Sequence, residues 1–235
     1  MTSRTRRYGI AVAAVVGALA MSGCTFHPGQ AAVVNGSSIS QSAVDDLVQA
    51  GCGFFKAQRA ANGGGVPSTS TSFLRNLFTQ NLISFKIIDK AATQLHLTVS
   101  QAAIAKASAG QTLPKGMQGD DQTRLRSFFT ESTRADLQKA VIGAHLKDPS
   151  VTNADHVAAS QIGASTAFLR AFTLKQQVSV NPAYGTWSHG RVLDSDGSLS
   201  AAQSTDARKW LRLRAANSDG SGSGISGLPA SQVCG

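Results

Sequence analysis

Apolar positions recur three and four residues apart through most of this chain, and two short stretches alternate or cluster in the manner of strands. The first stretch, Ala31-Ala32-Val33-Val34-Asn35-Gly36-Ser37-Ser38-Ile39-Ser40, carries β-branched residues on both sides of an Asn-Gly turn signal and predicts a short strand or ribbon. A helix follows at once. Ser42, with Asp45 three residues on, reads as a capping-box-like start, and Val44, Leu47, Val48, Phe54 and Phe55 mark its apolar face to about Ala61. Gly51 and Gly53 weaken the second half of that helix. The loop 62–71 separates it from a stronger helix, Ser72 to about Leu95, in which Phe73, Leu74, Leu77, Phe78, Leu82, Phe85 and Ile88 keep the helical spacing of a core face.

Further along, Ser100 caps a short helix over Gln101 to Ser108, and Gly110 to Gly119 with Pro114 interrupts the pattern. Asp120 and Asp121 suit the positive end of the next helix, which carries Leu125, Phe128, Phe129, Leu137, Val141 and Ile142 to about Leu146. Beyond Asp148-Pro149 the spacing predicts a helix over about Ala154 to Gln177. Val178-Ser179-Val180 then reads as a strand before an Asn-Pro turn, Ser204 to Ala216 as a short helix, and Asn217 to Gly227 as a Ser/Gly-rich segment. Two isolated short strands, around Val33 and around Val180, gain hydrogen bonds only by meeting, so a pair between them is expected.

The N-terminus changes the picture. Arg4, Arg6 and Arg7 precede an apolar run from Ile10 to Met21, which has the length of a signal peptide and is too short to span a bilayer. Met21-Ser22-Gly23-Cys24 resembles the bacterial lipobox, in which the cysteine thiol receives a diacylglycerol and becomes the mature N-terminus. An ordinary signal peptide cut nearby, with Cys24 incidental, is the alternative. The lipobox reading implies a protein anchored by lipid at the extracytoplasmic face of a membrane, with two or three acyl chains holding it stably. Residues 1–23 are then the lipoprotein signal, 24–30 a lipidated tether, 31–188 a helical domain, and 189–235 a polar, partly disordered tail.

Such a compartment permits disulfides. With Cys24 lipidated, Cys52 and Cys234 remain as an even pair, and a bridge between them would tie the C-terminal end to the first long helix; free, buried or intermolecular thiols are the alternatives. The 42% apolar content is enough to bury a core. Without the three signal arginines, 19 basic residues face 13 acidic ones, a net charge of +6 that favours anionic headgroups or envelope polymers over nucleic acid.

Taken in order, the lipobox, the AAVVNGSSIS strand, the long helices, LHLTVSQAAI and the late VSVNPAYGTWS strand resemble the SurA N-terminal-domain family, over roughly residues 31–188. The likeness is to the small lipoprotein members that lack a parvulin isomerase domain. It implies a mainly α fold in which a small two-stranded sheet pairs the N-terminal strand with a late one. It also implies an exported chaperone-type domain that binds unfolded or extended polypeptide. Isomerase activity is not carried over, because the interval that would hold the parvulin domain is helical and short, and no His/Cys/Asp set of that kind can be assigned.

Little other chemistry is legible. His27, His96, His145, His156 and His189 are scattered with no HExxH, so neither a metal nor a cofactor is expected. Gly222 to Gly227 matches GxGxxG in form only, inside a Ser/Gly segment with no strand before it, and Glu131 is the sole glutamate. A non-catalytic role is therefore expected, with Phe54, Phe55, Phe78, Phe128 and Phe129 as candidates for a client groove or, more plainly, for core. The alternative is an adaptor lipoprotein whose domain docks one dedicated folded envelope partner. A hydrolase, which would need a polar pocket with a nucleophile against a base, is the remotest reading.

Overall fold

Asn35 and Gly36 both take positive φ, 48° and 82°, in the computed structural model, which describes residues 28–66, 68–193 and 228–234. That conformation gives the tight turn whose twist matches a hairpin, and it folds β1 (Gln30–Val34) back on β2 (Ser37–Ser40) with Val34 opposite Ser37. On its other side β1 pairs antiparallel with β4 (Val178–Val180), Ala32 opposite Val180. The expected pair between the strands around Val33 and Val180 is therefore present. The sheet nevertheless has three strands, in the order β2-β1-β4, where two were expected, because the Asn-Gly turn adds β2 at its edge. Asn35 also fastens the far end: its amide donates to Gln176 Oε1 at 3.0 Å, and its side-chain carbonyl accepts from Gln177 N at 3.1 Å.

The fold is mainly helical, with five α-helices among the described residues. Helix α1 (Gln41–Ala61) is capped by Ser40, whose hydroxyl accepts from Ala43 N at 3.1 Å, two residues ahead of the expected Ser42. Asp45 thereby falls beyond capping reach and turns sideways into a network described below. Helix α2 (Thr71–Gln94) repeats the device with Ser70 accepting from Phe73 N and begins one residue ahead of the expected Ser72, and α3 (Gln101–Ser108) uses Ser100 as expected. Helix α4 (Gly119–His145) opens with Asp120 and Asp121 in its first turn.

Helix α1 reaches Ala61 as expected, whereas the expected span of the last long helix does not hold. Helix α1 runs unbroken through Gly51 and Gly53. At Gly51 an added Cβ would stand 3.1 Å from the Phe78 ring and 3.2 Å from Leu74, so the missing side chain is what lets α1 and α2 close up. Helix α5 (Ile162–Leu174) is shorter than the expected span from Ala154. The backbone of 152–154 instead bonds across to Thr98, and Asn153 Oδ1 accepts from Asp155 N, a local bond that competes with helix.

Two apolar cores result. The larger gathers β1, α1, α2 and the first half of α4, with Ala31, Ala32, Val44 and Ile83 fully buried; the smaller joins the ends of α2 and α4 to α5 through Ala91, Val141, Ile142 and Phe168. Toward the C-terminus β5 (Thr186–Ser188) turns into β6 (Arg191–Leu193), and β7 (Val233–Cys234) pairs with β3 (Thr69–Ser70). Cys52 and Cys234 form a disulfide with their Cα atoms 4.7 Å apart, joining β7 to α1. No helix among the described residues is long and apolar enough to cross a membrane. Met21 to Cys24 and the expected helix over Ser204 to Ala216 lie outside the described residues.

Candidate functional site

Aromatic rings gather where α1, α2 and α4 meet. Phe78 is 5% exposed, seated between Gly51 of α1 and Phe128 of α4, whose ring lies 5.0 Å away and edge-on. Phe128 continues the contact to Phe85 at 5.6 Å and to Phe129 at 5.9 Å. Phe54 and Phe55 form their own edge-on pair on α1, 5.8 Å apart, against the same core. Of the five candidate groove residues, Phe78, Phe128 and Phe129 are thus joined and Phe54 and Phe55 stand as a separate pair. Phe78 is core, whereas the other four are partly buried and pack against that core.

Beside Phe129 opens a cleft of about 210 Å³, in which Leu113 and Phe129 are ringed by Ser108, Gln111, Arg126 and Thr130. Gln111 is held there by donating to Thr133 Oγ1 at 3.0 Å. A second, smaller cleft of about 170 Å³ lies between α2 and α4 beside Phe85, where buried Gln138 donates to Asp89 at 2.9 Å. Large apolar side chains that stand exposed among the described residues, Leu77, Leu146, Leu174 and Leu193, fall on different elements.

The late motif Asn181-Pro182-Ala183-Tyr184 is tied into the helices. Asn181 N donates to Ala31 O at 2.8 Å, and the Tyr184 hydroxyl donates to Asp45 Oδ2 at 2.9 Å. Arg75 lies 5.6 Å over the Tyr184 ring and pairs with Asp45 at 3.7 Å, so three elements meet in one polar knot. Burial first, then the hydrogen bond to Asp45 and its charge, push the Tyr184 phenol up to about 12. Trp187 packs against the same core and faces Val192 across the β5–β6 hairpin.

Among the described residues no three His, Cys, Asp or Glu side chains come together as a metal set. His145 Nδ1 lies 2.9 Å from Val151 O, and His96 sits at the end of α2 with a φ of 54°. His27 lies outside the described residues.

One arrangement was missed by sequence reasoning. His189 and Gly190, with φ of 51° and 83°, make a second tight hairpin turn, which carries Arg191 and His189 toward α5. Its signal was the glycine at the second turn position of Ser188-His189-Gly190-Arg191, flanked by Trp187 and Val192. In comparisons with known proteins the chain matches no family model, no curated protein and no solved structure.

Proposed function

We propose that this protein is a membrane-anchored extracytoplasmic lipoprotein, lipidated at Cys24, whose helical domain binds non-native polypeptide without catalysis. The reading takes the domain as a SurA-like one without an isomerase domain. The observation that carries it is the set of half-buried rings, Phe54 with Phe55 on α1 and Phe128 with Phe129 on α4, flanking a closed core at Phe78. Rings that keep part of their surface accessible can pack against the apolar side chains of an extended client while the domain itself stays folded. A net charge of +6 on the mature chain supports attraction of acidic clients and of anionic headgroups.

A second reading, an adaptor docking one folded partner, is favoured by the cleft at Phe129. That cleft is small, and Ser108, Gln111, Arg126 and Thr130 line it beside Leu113 and Phe129 with polar groups that would fix a partner's orientation. Suppression of aggregation separates the two. Full-length acylated protein in a neutral detergent should hold an unfolded model protein in solution at near-stoichiometric ratio, beside an inert control at two salt concentrations. Loss of the effect at high salt would assign it to charge, and persistence to the rings. No suppression at any ratio sinks the chaperone reading and directs attention to crosslinking of a single partner.

A further inference from the structure

A third cleft lies away from the aromatic rings, between α5 and the β5–β6 hairpin, and has a volume of about 610 Å³. Helix spacing aligns Thr166, Arg170 and Thr173 on one wall, at i, i+4 and i+7. Ser188, His189 and Arg191 form the other. Gly190 sets the separation: an added Cβ there would stand 3.2 Å from Thr173 Cγ2, so the turn rests directly on the helix. Ser188 Oγ and His189 Nδ1 are 2.8 Å apart, which orients the imidazole and leaves Nε2 without a protein partner among the described residues.

Charge gives this cleft its chemistry. Two guanidinium groups and an imidazole share it with three hydroxyls, and among the described residues that line it there is no carboxylate. Every ion pair between described residues involves Arg75, Arg124, Arg134 or Lys139, so Arg170 and Arg191 stand without an acidic partner among them. Asp194 and Asp196 follow the hairpin in sequence and lie outside the described residues. Guanidinium forks bind tetrahedral oxyanions through paired charge-assisted hydrogen bonds, and hydroxyls on both walls add donors for the remaining oxygens. The volume exceeds what a bare ion fills and falls in the range of small-ligand sites.

We propose that the α5–hairpin cleft binds a phosphate monoester or diester, with Arg170 and Arg191 clamping the phosphate from opposite walls. Both glycerol 3-phosphate and the headgroup of an anionic phospholipid carry that chemistry. Full-length protein in neutral detergent, titrated calorimetrically with glycerol 3-phosphate and separately with micelles doped with phosphatidylglycerol or phosphatidylcholine, distinguishes the sources. The expected result is saturable binding in at least one phosphate arm, weakened tenfold or more in both Arg170→Gln and Arg191→Gln, and unchanged in Lys106→Gln, which removes a charge outside the cleft. Binding of the soluble ester assigns a free ligand; binding confined to phosphatidylglycerol micelles assigns a headgroup. Absence of saturable binding in every arm, or equal affinity in all three variants, overturns the proposal. Unchanged far-UV circular dichroism and melting of the variants show that a loss is not unfolding.

Discussion

Two clasps close this chain, and they work by different means. The β1–β4 clasp joins residues near 32 to residues near 180 through a three-residue ladder, over Ala31 and Ala32, which are fully buried. The β3–β7 clasp joins Thr69 and Ser70 to Val233 and Cys234, only two residues on each side, and adds a disulfide to α1. A two-residue ladder has too few hydrogen bonds to hold a chain end against its conformational entropy. A covalent link supplies what the ladder lacks, whereas the first clasp draws on core burial and on the Asn35 and Tyr184 contacts. One region is thus secured by packing and the other by oxidation, so conditions that weaken one should spare the other.

The hardest blow to the first clasp is a charge in its buried strand. Ala32→Asp should cost on the order of 4 kcal/mol or more, because the carboxylate has neither partner nor water, and denaturant unfolding should find the variant largely unfolded. Opening the second clasp should cost less. The Cys52→Ala, Cys234→Ala double variant is expected to lose about 2–4 kcal/mol, read from the denaturation midpoint, and reducing agent should lower wild type to the same value.

Alkaline titration discriminates the clasps by pH. Burial and the bond to Asp45 push the Tyr184 phenol up to about 12, above the ordinary tyrosine value of about 10, so the folded state holds the proton more tightly. Its contribution is complete below about pH 10 and lost as the pH rises through about 12. The smallest effect is expected from Tyr184→Phe, about 1–2 kcal/mol from the hydroxyl bond to Asp45, and this variant should also lose the wild type's alkaline inflection attributable to residue 184. Stability of wild type and variant followed from pH 8 to 12 checks both statements.

Much of this was legible. The Asn35-Gly36 signal fixed a turn, and isolated valines at 33 and 180 implied a pair, because short strands are unstable alone. Helical spacing placed the cores of α1, α2 and α4, and the parity of cysteines pointed to Cys52 and Cys234. What stayed hidden depends on neighbours distant in sequence. Gly51 looks like a flaw until the Phe78 ring lies against it, and the apolar spacing from Ala154 looks helical until Thr98 claims its backbone. For the candidate site, residue types were legible but exposure was not: Phe78 and Phe128 have the same side chain, and only the approach of α1 makes the first core and leaves the second half-covered. The Arg170–Arg191 cleft was invisible because its walls come from a helix and a three-residue strand joined only in space.

The proposed polypeptide-binding surface is tested most directly by site-specific photocrosslinking. A photoreactive residue placed at Phe129 or Phe55 in the full-length protein, and at Leu174 as an exposed apolar position elsewhere, would be illuminated with an unfolded client. The account predicts client adducts at 129 and 55, competed by excess unlabelled client, and few at 174. Equal labelling at all three positions, or none at 129 and 55, would contradict it.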